Sequence, residues 1–384
     1  MLALRLTRGS HPVVLARRLL VALAAAVTGF LLLCALAYAL VRPGGGAAPP
    51  ARLAWCLLPV AATVHLALAV ARTDPGTRPR PGLSAIGLGP ARLAMIAAAA
   101  TALACVTGSL IALAVFLHLR GDLTGSPFDG AAADLTAAGR PLPLPAALTL
   151  LSVVPLAASA TVALALRPRK EPPAAERDPD GARPALEAPP GGLPWGVAVV
   201  ALGLAAETYA AGGAALPGGL GSGRGAVLAG WVVASVGLAV AGPGLTHLCG
   251  RLLQVGRPGA ARLLAGRALM TQARRIGRPL GLAAAVACVT LGGTVLYAQD
   301  AFRPYGDLTA LGAALVVLCA VATLLTAAVE SRQERAATTE TLADLGAPAA
   351  LLRTTAALRA GVLLAVFLPL TWLVARLAAL PLGK

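Results

Sequence analysis

The sequence predicts an all-α polytopic membrane protein of about nine transmembrane helices. Three observations carry that expectation. Across 384 residues, 58% are hydrophobic and 12% charged, a balance outside that of soluble domains. The apolar residues fall in long blocks, enough to cross a hydrocarbon core about 30 Å thick. Arginine-bearing polar connectors separate the blocks, and two of them carry the same pattern. Spans of this kind must be helical, because lipid offers backbone N–H and C=O groups no outside partners.

In chain order the spans read as 19–41, 52–71, 92–118, 145–166, 194–214, 226–249, 279–298, 308–329 and 355–379. They are rich in Ala, Gly, Leu and Val, and aromatic residues make up 3% of the chain. Small side chains let helix backbones approach closely, so tight packing is expected. Pro59, Pro155 and Pro369 lie inside three spans and predict kinks there. The fifth span carries Glu207 and ends in Gly212-Gly213. The first, running from Leu19 to Val41, is too long for the apolar core of a cleavable signal peptide. Segment 167–193 is Pro-rich and of mixed charge, and reads as a linker between two membrane halves.

Arginine bias sets the orientation. One set of flanks includes Arg17, Arg18, Arg72, Arg92, Arg167, Arg251, Arg274, Arg275, Arg278, Arg332 and Arg353. The opposite loops hold far fewer basic residues, Arg42, Arg120 and Arg303 among them. The first set is therefore expected in the cytoplasm, with the N-terminus inside and the C-terminus outside. Lys170 and Lys384 are the two lysines; such arginine preference suits a GC-rich bacterial genome and points to a bacterial plasma membrane.

The net charge of +16 does not make this a nucleic-acid binder. Its arginines cluster at helix ends, and no basic stripe is interleaved with the aromatics that single-strand binding uses. The six cysteines (Cys34, Cys56, Cys105, Cys249, Cys288, Cys319) sit in or beside apolar runs with no C-x-x-C pair, so they read as small hydrophobic residues rather than a metal or redox site. Neither lysine stands in a G-x-x-x-x-G-K-[ST] loop, so any nucleotide energy must come from another subunit. No G-x-S-x-G, H-E-x-x-H or carboxylate cluster appears. His118 and Asp122 form an isolated H-x-x-x-D that reads as a solvated helix end. The expectation is a non-enzymatic chain with no cofactor and no metal.

Two connectors recur. Leu83-Ser84-Ala85-Ile86-Gly87-Leu88 leads to Arg92 between the second and third spans. Leu342-Ala343-Asp344-Leu345-Gly346-Ala347 leads to Leu351 and Arg353 between the eighth and ninth. Both read Leu-x-x-[Ile/Leu]-Gly, and Gly87 and Gly346 are 259 positions apart. A second pair of landmarks, around Arg5 and Arg267, precedes the first and seventh spans at an offset of 262. Each lies in an arginine-faced stretch that reads as an interfacial amphipathic helix. Inside the spans, ionisable residues are functional candidates by default. Glu207 and His65 are the two singled out, whereas Arg359 and Arg376 bracket the ninth span as snorkelling residues would.

With these landmarks the chain resembles the FtsX/MacB-like permeases of ABC transporters. The resemblance implies a first permease unit over 1–166 (interfacial helix and four spans), the linker 167–193, two inserted spans over 194–250, and a second, incomplete unit over 251–384. The family's connector often reads E-x-x-x-L-R-A-L-G-A. The second copy keeps Leu342, Leu345, Gly346 and Ala347 but has Thr338 and Ala343 at the charged positions; the first keeps Leu83, Ala85 and Gly87, with Pro79 and Ser84 there. The resemblance implies a separate ABC ATPase as partner, docking on Leu83, Gly87, Leu88, Arg92, Leu342, Leu345, Gly346, Leu351 and Arg353. Membrane lipid and a second permease copy are the other expected partners, and the implied substrate is lipidic or a membrane-embedded peptide. Two other readings stay open: a secondary transporter coupled to an ion through Glu207 or His65, and a non-transporting scaffold derived from a permease.

Overall fold

The computed structural model describes residues 12–42, 48–74, 89–122, 132, 136–167, 191–212, 224–255, 259–298, 308–344 and 348–380. Among them the chain is all-helical, with no strand. Ten helices follow in order: α1 (Pro12–Val41), α2 (Ala48–Thr73), α3 (Pro90–Arg120), α4 (Leu144–Ala165), α5 (Gly192–Ala211), α6 (Arg224–Gln254), α7 (Ala260–Thr271), α8 (Ala273–Ala298), α9 (Leu308–Asp344) and α10 (Ala349–Ala379). Ala and Leu, the residues that cost a helix least, dominate most of them.

Eight of these are long and apolar enough to cross a membrane: α1 to α6, α9 and α10. The chain is thus an all-α polytopic membrane protein. The predicted seventh span, 279–298, lies within α8, whose side chains 292–298 are outside the described residues, and it is not one of the eight. α7 is a separate short helix ahead of it, where the second arginine-faced stretch was expected.

Local chemistry explains most boundaries. Pro90 opens α3 at a position where its missing N–H costs nothing, and Gly121, at φ 92°, closes it in the left-handed region while its N–H bonds back to His118. α2 stops at Thr73, two residues before Pro75, which disfavours helical backbone at Asp74. α9 departs from expectation. It continues past the predicted end at 329 to Asp344, because no Gly or Pro interrupts Glu330 to Asp344. Its apolar window ends at Ser331, so the remaining turns project about 20 Å at 1.5 Å per residue. Leu342, predicted in a connecting loop, is therefore helical.

The chain divides into two compact units. Unit 1 comprises Met1–Pro173 and Arg303–Thr326; unit 2 comprises Ala174–Phe302 and Ala327–Lys384. In unit 1, α1 packs on α2, α3 and α4. Its core gathers Val21, Leu31 and Leu32 of α1, Leu66 of α2, Val154 of α4 and Leu315 of α9. In unit 2, α6 is central and contacts α5, α7, α8 and α10. There Leu238 of α6 meets Cys288 of α8 and Phe367 and Val374 of α10.

Helix boundaries repeat across the chain. The starts of α2 and α9, at Ala48 and Leu308, are 260 residues apart; those of α3 and α10, at Pro90 and Ala349, 259 apart. The ends of α1 and α8, at Val41 and Ala298, are 257 apart, and those of α3 and α10, at Arg120 and Ala379, 259 apart.

Candidate functional site

Two places concentrate the functional signals: the helix ends that lead into the repeated connectors, and the interior of unit 2. Of the predicted coupling residues, Leu83, Gly87, Leu88, Leu345 and Gly346 lie outside the described residues. Arg92 is exposed on the first turn of α3, and Arg353 is exposed on α10 with half-buried Leu351 two residues before it. Leu342 lies on the last turns of α9, and the other described members stand at the starts of α3 and α10, the two helices whose first residues are 259 apart.

The helix ends carry a matched pair of ion pairs that the sequence reading missed. In unit 1, Arg18 near the start of α1 meets Asp74, just past the end of α2, with Nη2 2.8 Å from Oδ2. In unit 2, Arg275 near the start of α8 meets Glu330 of α9 through the same guanidinium nitrogen. The arginines are 257 residues apart and the acids 256. Each pair ties the base of one helix to the foot of the next, immediately before or close to a connector. Their arginines are 40% and 47% exposed, so each pair is worth well under about 1 kcal/mol. Such an interaction positions helix ends rather than holding the fold. The signal was available as a third landmark at a similar offset, but charge alone does not say which acid an arginine reaches. Below the first pair lies a small groove lined by Val21, Ala67, Ala97, Ala100 and Ala104, with Arg18 and Asp74 at its polar edge.

Unit 2 contains Glu207, fully buried on α5. Among the described residues neither of its carboxyl oxygens has a hydrogen-bond partner. The facing residue on α6 is Gly230: a Cβ there would stand 2.7 Å from Glu207 Cγ and 2.8 Å from the Gly203 carbonyl oxygen. Trp231, beside it, is buried among Leu204, Val289 and Ala378, and its indole Nε1 is likewise unpartnered. Cys288 of α8 lies beside Ser235 and Trp231 and within electrostatic reach of Glu207.

The second intramembrane candidate, His65, is half-buried on α2 in unit 1, with Nδ1 unpartnered. The two candidates belong to different units. The H-x-x-x-D motif does not form a site: Asp122 Oδ2 is 3.2 Å from Arg120 Nε. Among the described residues no group of three His, Cys, Asp or Glu could hold a metal. Arg359 Nε donates to the Thr355 carbonyl, and Arg376 lies 5.2 Å over the Trp372 ring, which accounts for both arginines by local contacts on α10.

No protein-family model, curated protein or solved structure matches this chain. The functional reading therefore rests on the residues and geometry above.

Proposed function

We propose that the chain is the membrane-spanning subunit of an ABC-type permease, FtsX/MacB-like, lying in a bacterial plasma membrane with its N-terminus in the cytoplasm. A separate ATPase drives it through the two connectors, and it moves a lipidic or membrane-embedded peptide substrate. One observation carries this reading: five of the six boundaries of α1–α3 recur in α8–α10 at offsets of 257–261, the end of α2 being the exception, and each set bears an ion pair at the same place. Two equivalent half-units, each with a connector on the arginine-rich side, suit a machine pushed at two points.

In this mechanism the connectors receive force. Closure of the ATPase on ATP displaces the starts of α3 and α10, and the ion pairs keep α1–α2 and α8–α9 moving with their connectors. The projecting end of α9 is a stiff lever, since a helix transmits displacement along its axis. Ahead of the first connector α2 ends at Thr73, with Pro75, Pro79 and Pro81 following in the sequence.

The test is retention of the ATPase on the affinity-tagged chain. Leu345→Asp and Gly346→Asp are expected to abolish it, because a carboxylate at an apolar docking position must lose its water without gaining a partner. Gly87→Asp should weaken retention less, since the first connector departs further from the family pattern. Equal retention by all three variants and wild type, or none by wild type, would sink the coupling account. The ion-coupled alternative has one observation in its favour, the unpartnered carboxyl of Glu207.

A further inference from the structure

We propose that Glu207 is a proton-binding site: its carboxyl holds a proton inside the α5–α6 contact and releases it only when the two helices part. This goes beyond the permease reading and does not depend on it, since it concerns α5 and α6, which lie outside the repeated helices.

The geometry leaves the carboxyl few options. Glu207 is fully buried in a helix apolar enough to span the membrane, and both oxygens are unpartnered. A carboxylate in that position would have no counter-charge and no donor, at a cost of several kcal/mol. The neutral acid has no such penalty beyond its unmade hydrogen bonds. The groups facing it do not change this. From α6 comes Gly230; Trp231 and Ser235, which lie beside Cys288, carry no charge, and Ser235 Oγ already donates to the Trp231 carbonyl, at 2.9 Å. From α8 comes the Cys288 thiol. α10 contributes Ala378 beside Trp231, while its Arg376 is exposed and lies over Trp372. Among the described residues no Lys, Arg or His forms an ion pair with Glu207.

Proton release must therefore bring water or a donor to the carboxylate, and the close α5–α6 contact stands against it. Gly203 and Gly230 place the two backbones in contact: a Cβ on Gly203 would meet the Gly230 carbonyl oxygen at 2.6 Å. On the α6 side Gly230 packs so closely that an added carbon there would stand 2.7 Å from Glu207 Cγ. Ionisation transfers the proton to water and requires the contact to open, so proton occupancy and α5–α6 separation are linked events.

Infrared pH-difference spectroscopy on the full-length protein in lipid vesicles reads the proton directly. Wild type should show a protonated-carboxyl carbonyl band that disappears reversibly on alkaline titration, with the slope of one titrating group, about tenfold in proton occupancy ratio per pH unit. Glu207→Gln, which keeps the shape and stays neutral, should lack that band and keep the wild-type elution profile. Hydrogen–deuterium exchange compared at equal pH supplies the second readout. Once the band is lost, amides of α5 and α6 should exchange at least about tenfold faster in wild type than in Glu207→Gln, the factor that 1.4 kcal/mol of opening free energy represents. Identical acid bands in the two proteins would overturn the assignment of the proton. Loss of the band with no difference in α5–α6 exchange would overturn the linkage to helix separation.

Discussion

In unit 1 the largest fully buried side chains include Phe116, Leu31, Leu33, Leu66, Val154 and Val162; in unit 2 those of the same burial are Leu238, Leu269 and Glu207. The units fill their interiors by different means. Among the described residues, the close glycine contacts of unit 1 lie at the α1–α3 crossing, where Gly108 meets Ala22 and Ala25 and Gly29 meets Ala112, while its core packs side chain on side chain. Along α6 of unit 2, glycines stand at successive contacts: Gly230, Gly237 and Gly244 face α5, Gly242 faces α8 and Gly250 faces α7. Lipid gives helices no hydrophobic reason to associate, so close backbone approach supplies the dispersion that holds them. The two designs also treat buried polar groups differently. Thr28 and Thr63 share a hydrogen bond of 2.9 Å between α1 and α2, whereas Glu207 has none. The difference teaches where change is tolerated: a side-chain core can shrink or adjust, but a backbone contact cannot accept one added carbon.

The largest effect should come from breaking the backbone contact. In Gly196→Val the new Cβ would stand 2.5 Å from the Ala241 amide nitrogen and 2.7 Å from its Cα. Nothing flexible can move aside, so α5 must leave α6 at a cost above about 3 kcal/mol. Thermal unfolding in detergent, or recovery of monodisperse protein, reads it. A wild-type midpoint in this variant would refute the backbone-contact account. Gly361→Ala on α10 is the control, because a Cβ there meets nothing within 4 Å; its midpoint should stay level or rise.

An intermediate effect is expected in unit 1. Leu33 is fully buried against Phe116 and Leu151 and others. Leu33→Ala removes its contacts and leaves a cavity, but the unfolded chain remains among lipid or detergent tails, which reduces the transfer share of the loss. About 2 kcal/mol remains, at the low end for such truncations. A loss as large as that of Gly196→Val would erase the distinction between the units.

The smallest effect separates the ion pairs. Double-mutant cycles on Arg18 with Asp74 and on Arg275 with Glu330 should each give a coupling energy below about 1 kcal/mol, because both pairs are partly solvated. If the pairs are repeat equivalents, the two energies agree in size and both shrink with salt. A coupling in one cycle and none in the other would separate them.

Much of the fold was legible in the sequence, and the reasons are local. The runs that became α1 to α6, α9 and α10 are long, mainly apolar stretches whose ends carry arginine, Gly or Pro. α9 could have been read further than it was: Arg332 to Asp344 contains no helix breaker, and its polarity hid a continuing helix behind the end of the span. The site was less legible. Glu207 stood out as an ionisable residue in a span, yet its lack of partners depends on what α6 and α8 place around it. The ion pairs were hidden for the same reason, since Arg17, Arg18 and Arg72 offered equal claims on Asp74 in the sequence.

The sequence by itself determined that this is a helical membrane protein and roughly where most of its apolar spans begin and end. In hydrocarbon every backbone hydrogen bond must be made within the segment, so apolar length and Gly/Pro punctuation are sufficient information. Tertiary structure alone decided that α6 is the centre of unit 2, that Arg18 reaches Asp74 as Arg275 reaches Glu330, and that Glu207 has no partner among the described residues. These depend on which helix faces come together. In a chain whose apolar faces are nearly uniform Ala, Leu, Val and Gly, the choice rests on sub-ångström differences in how closely two backbones approach, and no local pattern records them.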